Sequence, residues 1–309
     1  MKLEGIHHIT AITGDAPGNV QFYVGVLGLR MVKKTVNQDD PTVYHLFYAD
    51  EHGSPGSDLT FFEYPGAAPG RAGAGMVHRV VWRVSSEPAI DFWEQRLREH
   101  DVATERADGG LRFADPEGLE HELRVSTVED EPLVGGAPDV PREHALQGFD
   151  GVRAFAQDPA RSEWLLRDTL GFTGGEDGRW EVRGDERGGV YAYDPAPDIS
   201  PRQGAGTVHH VAFASRTEDH EAWQQQVARS GARPTPVIDR FYFRSIYFRE
   251  PSGVLFEIAT LGPGFDADED AAHLGERLSL PPKFERLRPQ LEQTLTPLPN
   301  PWAERTGAA

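Results

Sequence analysis

Two pairs of adjacent histidines mark this 309-residue chain, and each pair opens a stretch that is otherwise largely apolar. His7 and His8 lie near the start of the chain, and His209 and His210 follow about two hundred residues later. A glutamate, Glu257, is the one charged residue in a further apolar run beyond the second pair. Two imidazoles and one carboxylate bind a divalent metal and leave coordination positions open for substrate. The pattern therefore predicts a metal-dependent enzyme.

The composition restricts the available chemistry. The chain contains no cysteine, so thiolate ligands, iron–sulfur clusters and a cysteine nucleophile are excluded, and histidine and the acidic residues remain as side-chain ligands. A net charge of −18 would repel phosphate backbones and anionic lipid, so nucleic acid and membranes are poor partners. The first residues lack a signal-peptide pattern, and no apolar run approaches a membrane span. We therefore expect a cytoplasmic protein.

The elements that would position these residues belong to an internal repeat. Segments 115–123 and 250–258 both read as an acid–Pro–x–Gly turn followed by an apolar strand that bears a glutamate. Upstream of them, 75–82 matches 206–213, and a helical pattern lies between the two parts of each copy. Two looser copies complete the set. The chain is therefore predicted to contain four βαβββ modules, which span 1–66, 75–127, 147–196 and 206–262.

The modules predict an α+β fold with a division near the middle of the chain. A stretch rich in proline, glycine and acidic residues separates the second module from the third and is typical of a linker. We expect an N-terminal domain at 1–128, a linker at 129–146, a C-terminal domain at 147–262 and a wrapping tail at 263–309. The last residues, 304–309, are expected to fray.

The four modules, the opening His-His strand and the closing strand with one glutamate resemble the vicinal oxygen chelate superfamily. This superfamily includes glyoxalase I, bleomycin-resistance proteins and extradiol ring-cleaving dioxygenases. Within it, the chain is similar to the branch of dioxygenases that cleave hydroquinone rings, on segments 44–51, 53–56, 143–149 and 264–270. The resemblance covers nearly the whole chain, and it implies two domains with cupped mixed sheets.

By this resemblance, the second histidine of each pair, His8 and His210, binds the metal together with Glu257. Adjacent side chains of an extended strand point to opposite faces, so we expect only one imidazole of each pair to face the site. The repeat agrees, because the second module has Arg79 where the fourth has His210, with Glu122 left over as a vestige. We therefore expect one site, built from modules one and four. These three ligands suit Fe(II), and Mn(II) satisfies them equally.

The resemblance also gives roles to residues beside the metal. Tyr247 would hydrogen-bond to the metal-bound oxygen of the substrate, and Arg240 would help to position substrate or oxygen. Thr10 and the first histidine of each pair, His7 and His209, flank the ligands and could orient the imidazoles or relay a proton. These five residues are the candidate catalytic groups. The alternative to these functional roles is that Tyr247 is an aromatic side chain of the core and that Arg240 is a solvated charge in a loop.

The implied activity is O₂-dependent cleavage of hydroquinone-type aromatic diols, in the breakdown of aromatic compounds. The partners would be a small aromatic substrate and O₂, and the oligomeric state is left open, a homo-oligomer included.

Three other functions compete with this prediction. A catechol extradiol dioxygenase shares the ligands but binds both hydroxyl groups of its substrate. A glyoxalase I-like lyase or thiol transferase needs a fourth protein ligand, for which Glu63 is the candidate. A metal-free module that binds an aromatic toxin would not need the three ligands together. His45 and His144 lie in segments typical of the dioxygenase branch, and we expect structural roles for both.

Overall fold

The computed structural model describes residues 1–301, and its strands and helical segments repeat one order four times. Module 1 consists of β1 (Ile6–Thr13), α1 (Ala16–Val20) with a π-helical continuation at Gln21–Val26, β2 (Arg30–Val36), β3 (Tyr44–Ala49) and β4 (Asp58–Glu63). Module 2 consists of β5 (Met76–Val84), α2 (Glu87–Glu99), β6 (Thr104–Ala107), β7 (Gly110–Ala114) and β8 (Glu120–Val125).

The second half of the chain repeats this order. Module 3 consists of β9 (Phe149–Ala156), a 3₁₀ turn at Pro159–Ser162 and a π-helical turn at Leu165–Thr169 in place of the α-helix, β10 (Thr173–Gly174), β11 (Arg179–Arg183) and β12 (Gly188–Pro195). Module 4 consists of β13 (Thr207–Ser215), α3 (His220–Arg229), β14 (Ile238–Asp239), β15 (Arg244–Arg249) and β16 (Leu255–Thr260). The described part of the tail, 263–301, contains three 3₁₀ turns, at Phe265–Ala267, Ala271–His273 and Pro282–Leu287, and α4 (Arg288–Thr294).

The strands form two mixed sheets of eight strands each, which confirms the predicted α+β class. One sheet has the order β14-β15-β16-β13-β1-β4-β3-β2, and the other has the order β10-β11-β12-β9-β5-β8-β7-β6. In each sheet, two modules meet through an antiparallel pair of their first strands, β1 with β13 and β5 with β9. Within a module, the first strand runs parallel to the last.

Each sheet therefore joins a module from the first half of the chain to one from the second half. Modules 1 and 4 share one sheet, and modules 2 and 3 share the other. The sheets do not follow a division at the linker, and the domain boundaries at 128, 146 and 262 stay a prediction.

The central strands carry β-bulges at the histidine pairs. Along β1 the register shifts at His7, which has no partner on β13, and along β13 it shifts at His209, which has no partner on β1. The second sheet has a corresponding shift at His78 on β5. A bulge inserts one residue and interrupts the alternation of side chains between the two faces.

Apolar side chains pack the helices onto one face of the sheets. Helix α2 buries Ile90, Trp93 and Leu97, as their spacing predicts. Each fully buried side chain of this kind contributes about 1.5–3 kcal/mol to folding. Along β3 and β4, alternate residues belong to this core, and their neighbours Phe47 and Phe62 point to the other face, where the candidate site lies.

The tail returns to module 1 and is held there by a buried lysine. Lys33 on β2 is fully buried, and its ammonium group donates to the carbonyl of Phe265 and to the carboxylate of Asp268, both at 2.8 Å, and to Glu269. The predicted fraying of 304–309 lies outside the described residues. Among residues 1–301, the structure has no helix of the length and apolarity needed to cross a bilayer.

Candidate metal centre

Three side chains from three strands of the first sheet meet at one point. His8 lies on β1, His210 on β13 and Glu257 on β16; we call these residues the triad. The Nε2 atoms of the two histidines are 3.3 Å apart, and Glu257 Oε2 lies 3.2 Å from His8 Nε2 and 2.8 Å from His210 Nε2. All three residues are buried, with 0% of Glu257 exposed. The structure thus brings together the three predicted ligands.

The strand register explains why they meet. His210 pairs with Thr10 across the antiparallel β1–β13 contact, and Ala212, two residues along the same face, pairs with Glu257 on β16. Directly paired residues of neighbouring strands point to the same side of a sheet. The side chains of both modules therefore converge over the central strand pair.

Burial sets the protonation state of this cluster. Desolvation lowers the pKa of His210, and desolvation together with the neighbouring ligand imidazoles lowers the pKa of His7 to about 3 and of His209 to about 4. Burial acts to raise the pKa of Glu257, but the imidazoles of the triad outweigh it and hold this pKa well below its usual range. Near neutral pH the imidazole of His210 is therefore neutral and the carboxylate of Glu257 is charged, which are the forms that bind metal.

Hydrogen bonds fix the tautomers of His7 and His8. His7 Nε2 lies 3.1 Å from the carbonyl of Thr260, which only accepts, so this nitrogen carries the proton and Nδ1 of His7 is an acceptor. His7 Nδ1 lies 2.9 Å from His8 Nδ1, which must donate, and the lone pair of His8 Nε2 is therefore free. His209 and His210 repeat this contact at 2.8 Å. In each pair only the second histidine lines the cleft beside the triad, and the first contacts it through Nδ1.

The three ligand atoms fit a cation. Neither oxygen of Glu257 accepts a well-aligned hydrogen bond from the described residues, although the carboxylate is fully buried. Leaving a buried charge without a partner is strongly unfavourable. Ligands in neighbouring positions of an octahedral ion, at about 2.1 Å from it, lie about 3 Å apart, and the observed separations of 2.8 to 3.3 Å bracket that value. In the described part of the chain, this is the one group of three or more such side chains with this geometry.

The triad opens onto a cleft whose empty space, including the part open to solvent, is about 430 Å³. Aromatic rings form part of its wall, and polar groups stand between them. Besides His8 and His210, the lining residues are Thr35, Asn37, Gln38, Asp39, His45, Phe47, Phe62, Arg240, Tyr242, Phe243 and Tyr247.

Tyr247 and Arg240 both lie on this cleft. Tyr247 pairs directly with Glu257 on the neighbouring strand, and its ring centroid is 5.6 Å from that of His210. Burial raises the pKa of Tyr247, so its hydroxyl keeps its proton at neutral pH. The Arg240 guanidinium lies 5.6 Å from the centre of the Tyr247 ring and makes two hydrogen bonds to Asp39, at 3.0 and 2.9 Å. Both residues can therefore contact a molecule bound at the triad.

Thr10 is buried beside the triad, and its partner on β4 is not a carboxylate that could serve as a fourth metal ligand. Its hydroxyl lies 2.9 Å from that of Thr60, which is its partner on β4. In module 1, Thr60 occupies the position that Glu257 occupies in module 4. Glu63 lies three residues further along β4, on the opposite face, where burial raises the pKa of its carboxyl group. Glu63 therefore lies outside the cluster, and the position for a second carboxylate ligand holds a threonine.

The second sheet contains the corresponding positions without the ligands. Gly151 corresponds to His8, Arg79 to His210, and Glu122 to Glu257. Glu122 is fully buried, and its carboxylate accepts hydrogen bonds from Arg79 at 3.1 Å, from Arg112 at 3.4 Å and from Arg124 at 2.5 Å. Guanidinium groups here neutralise the carboxylate.

His45 and His144, the two histidines in segments typical of the dioxygenase branch, have different surroundings. His144 stacks on Phe92 of α2, with ring centroids 5.1 Å apart, away from the cleft. His45 lines the cleft, which the sequence did not indicate, although its alternation with Phe47 along β3 was a usable signal. The sequence also did not identify Asp39, whose polar loop between β2 and β3 gave no sign of a partner as distant as Arg240.

Comparisons with known proteins agree with this architecture. The family model described as "Glyoxalase/Bleomycin resistance protein/Dioxygenase superfamily" matches residues 5–123 and 148–258. A Bacillus subtilis (strain 168) protein named "Putative ring-cleaving dioxygenase MhqO" is 42% identical over 96% of this chain and 97% of its own length. A Sphingobium indicum protein named chlorohydroquinone/hydroquinone 1,2-dioxygenase is 32% identical over 95% of this chain and 96% of its own. A crystal structure of a "putative dioxygenase" from Bacillus subtilis superimposes with a TM-score of 0.89 at 40% identity, covering 96% of this chain and 98% of the other.

Proposed function

This chain belongs to the glyoxalase/bleomycin resistance protein/dioxygenase superfamily, and we propose that it is a metal-dependent dioxygenase that cleaves the ring of hydroquinone-type diols with O₂. The observation that carries the proposal is the triad of His8, His210 and Glu257 at the inner end of an aromatic-lined cleft. Relatives that match the chain over nearly their whole length bear the names of ring-cleaving dioxygenases, and one is named for hydroquinone. These names support the same activity for this chain.

The metal we propose is Fe(II), with Mn(II) as the alternative. His8 and His210 would hold it through Nε2, and Glu257 would hold it through a carboxylate oxygen, which leaves coordination positions open. When bound, such a metal activates O₂ and a phenolic oxygen side by side, which is the chemistry that ring cleavage requires.

The remaining candidate residues would act on protons and orientation. Tyr247 is a hydrogen-bond donor beside His210 and would hold the phenolic oxygen of the substrate. The fixed positive charge of Arg240 would stabilise negative charge that develops near it. His7 and His209 would keep His8 and His210 in the tautomer with a free Nε2 lone pair, and a network of this kind typically changes metal affinity 10- to 100-fold.

Thr10 would act through structure and not through contact with the substrate, because its hydroxyl is engaged by Thr60. Phe62 and Phe243 would flank the ring and exclude water from the site. The sequence predicts a location in the cytoplasm and leaves assembly as a homo-oligomer open, and both stay predictions.

The test is reconstitution without oxygen. Protein stripped with a chelator is loaded with Fe(II) or Mn(II) and then mixed with O₂ and one of three compounds: a hydroquinone, a catechol or a methylglyoxal–thiol adduct. We expect O₂ uptake with the hydroquinone, and only in the metal-loaded protein. Turnover of the thiol adduct alone would refute the dioxygenase, and faster cleavage of catechol than of hydroquinone would refute the hydroquinone specificity.

A further inference from the structure

His45 is a polar group in the otherwise aromatic part of the cleft wall. It lies on β3, and its ring packs between those of Phe47 and Phe62, with centroid distances of 4.0 and 4.4 Å. The ring reaches the same cleft as the triad. Burial lowers the pKa of His45, so the imidazole is neutral and has one donor and one acceptor nitrogen.

A chain of hydroxyl groups holds this ring in place. His45 Nε2 lies 2.8 Å from the hydroxyl of Thr60, which in turn lies 2.9 Å from the hydroxyl of Thr10. The contact with Thr60 occupies Nε2 and leaves Nδ1 for a bound molecule. Thr60 stands at the position where a four-ligand centre would have its second carboxylate ligand. Thr60 therefore both supports His45 and distinguishes this site from a four-ligand centre.

The position of His45 suits the far end of a ring held at the triad. β3 is two strands from β1, about 10 Å across the sheet, and His45 is level with Ile12, four residues or about 13 Å along β1 from His8. Both imidazoles reach into the cleft between these two positions, so the gap between the rings is shorter than the backbone separation, on the order of 10 Å. A ring that carries hydroxyl groups at opposite ends needs a span of this order, from a metal at one oxygen to a hydrogen-bond partner at the other. A catechol keeps both hydroxyl groups at the metal end.

Several other polar side chains of the cleft already have partners in the protein. The side chain of Gln38 donates to the carbonyl of Arg240, and Asp39 accepts from the Arg240 guanidinium. Asn37 accepts from the backbone of Asp39, and the hydroxyl of Tyr242 donates to an aspartate of the tail. Thr35 Oγ1 and Gln38 Oε1 have no partner either, but both atoms are buried in the wall of the cleft. The ring of His45 is only partly buried and its Nδ1 has no contact in the protein, so we take this nitrogen as the partner for a ligand.

We infer that His45 binds the hydroxyl group at the far end of the substrate ring, opposite the oxygen held at the triad, and so selects para-diols. This inference rests on the proposed function. His45 does not supply the cleavage chemistry; it distinguishes a ring with a distal hydroxyl group from a ring without one.

The test compares two ligands and three proteins. Wild-type, His45→Phe and His45→Gln proteins are loaded with metal in the absence of oxygen, and the dissociation constants of hydroquinone and of 4-methylphenol are measured. His45→Phe keeps the aromatic packing and removes the hydrogen bond, so we expect hydroquinone to bind about tenfold more weakly while 4-methylphenol is unaffected. His45→Gln retains a donor and an acceptor and should recover part of the preference. Metal content should be equal in all three.

Two results would overturn the inference. Equal weakening of both ligands in His45→Phe would mean that His45 only shapes the cleft, and unchanged hydroquinone affinity would mean that the distal hydroxyl is bound elsewhere. In either case wild-type O₂ uptake with hydroquinone would still support the proposed function. A metal-loaded wild-type protein without that uptake would refute the proposed function, and the inference with it.

Discussion

Replacement of His7 by phenylalanine should weaken metal binding although His7 is not a ligand. In His7→Phe, the Nδ1–H group of His8 loses its acceptor at 2.9 Å, and the carbonyl of Thr260 loses its donor at 3.1 Å. Both groups are remote from solvent, since His8 is 2% exposed, and a buried polar group left without a partner costs about 1–3 kcal/mol. The imidazole of His8 would also be free to turn or to change its tautomer. We therefore expect a 10- to 100-fold loss of metal affinity.

The assay is an anaerobic competition between protein and chelator for Fe(II) or Mn(II). His78→Phe is a matched control, because His78 is the bulge residue of β5 and is as buried as His7, at 6% against 5%. Its Nε2 lies 2.8 Å from Asp194 and is not connected to the triad. We expect the control to lose stability but to bind metal as the wild type does. Wild-type affinity in His7→Phe, or an equal loss in both variants, would refute the argument that His7 fixes the tautomer of His8.

Three further predictions concern the triad, acid stability and the tail. His210→Ala should lose both bound metal and O₂ uptake, whereas Arg79→Ala at the equivalent position should keep both and unfold more readily, as metal analysis and thermal unfolding would show; metal loss in Arg79→Ala would contradict this. Burial lowers the pKa of His121 to about 3, below its value near 6.5 in the unfolded chain. The unfolded state therefore binds the proton first, and the unfolding temperature of metal-free protein should fall as the pH drops from about 6.5 toward 3; a flat profile would count against this. Lys33→Met leaves the buried carboxylate of Glu269 without its lysine, so denaturant unfolding should show a loss of about 3–5 kcal/mol, and a loss under 1 kcal/mol would argue that the tail is held by other contacts.

The repeat made much of the fold predictable. A turn followed by an apolar strand with one glutamate, seen twice, gave the module boundaries, and the strands and helical segments follow them in all four modules. The sequence predicted a single site between modules 1 and 4, but it did not predict that these two modules share one sheet. The helical segment of module 3 is 3₁₀ and π in place of α, because a preference for a helical form is weak beside the packing of its neighbours.

The details of the site were less accessible. Strand alternation separates the two imidazoles of a pair, and only the bulges at His7 and His209 bring them into contact. Such bulges depend on the register of two strands that are about two hundred residues apart. The face of the sheet on which Glu63 lies also depends on strand register. The strand β4 could be recognised from its composition, but the sequence did not show that Thr60, and not Glu63, is the residue opposite Thr10. Neighbours across the cleft, such as His45 and Arg240, come from different modules, and their proximity is a property of the folded sheet.

The central claim is that His8, His210 and Glu257 bind one divalent cation, and anomalous diffraction from crystals of metal-loaded protein tests it most directly. Data collected on either side of the iron or manganese absorption edge locate the ion without assumptions about activity. We predict one peak per chain, within bonding distance of both Nε2 atoms and of the Glu257 carboxylate. A peak at another position, or none at these three side chains in crystals of protein shown to contain metal, would contradict it.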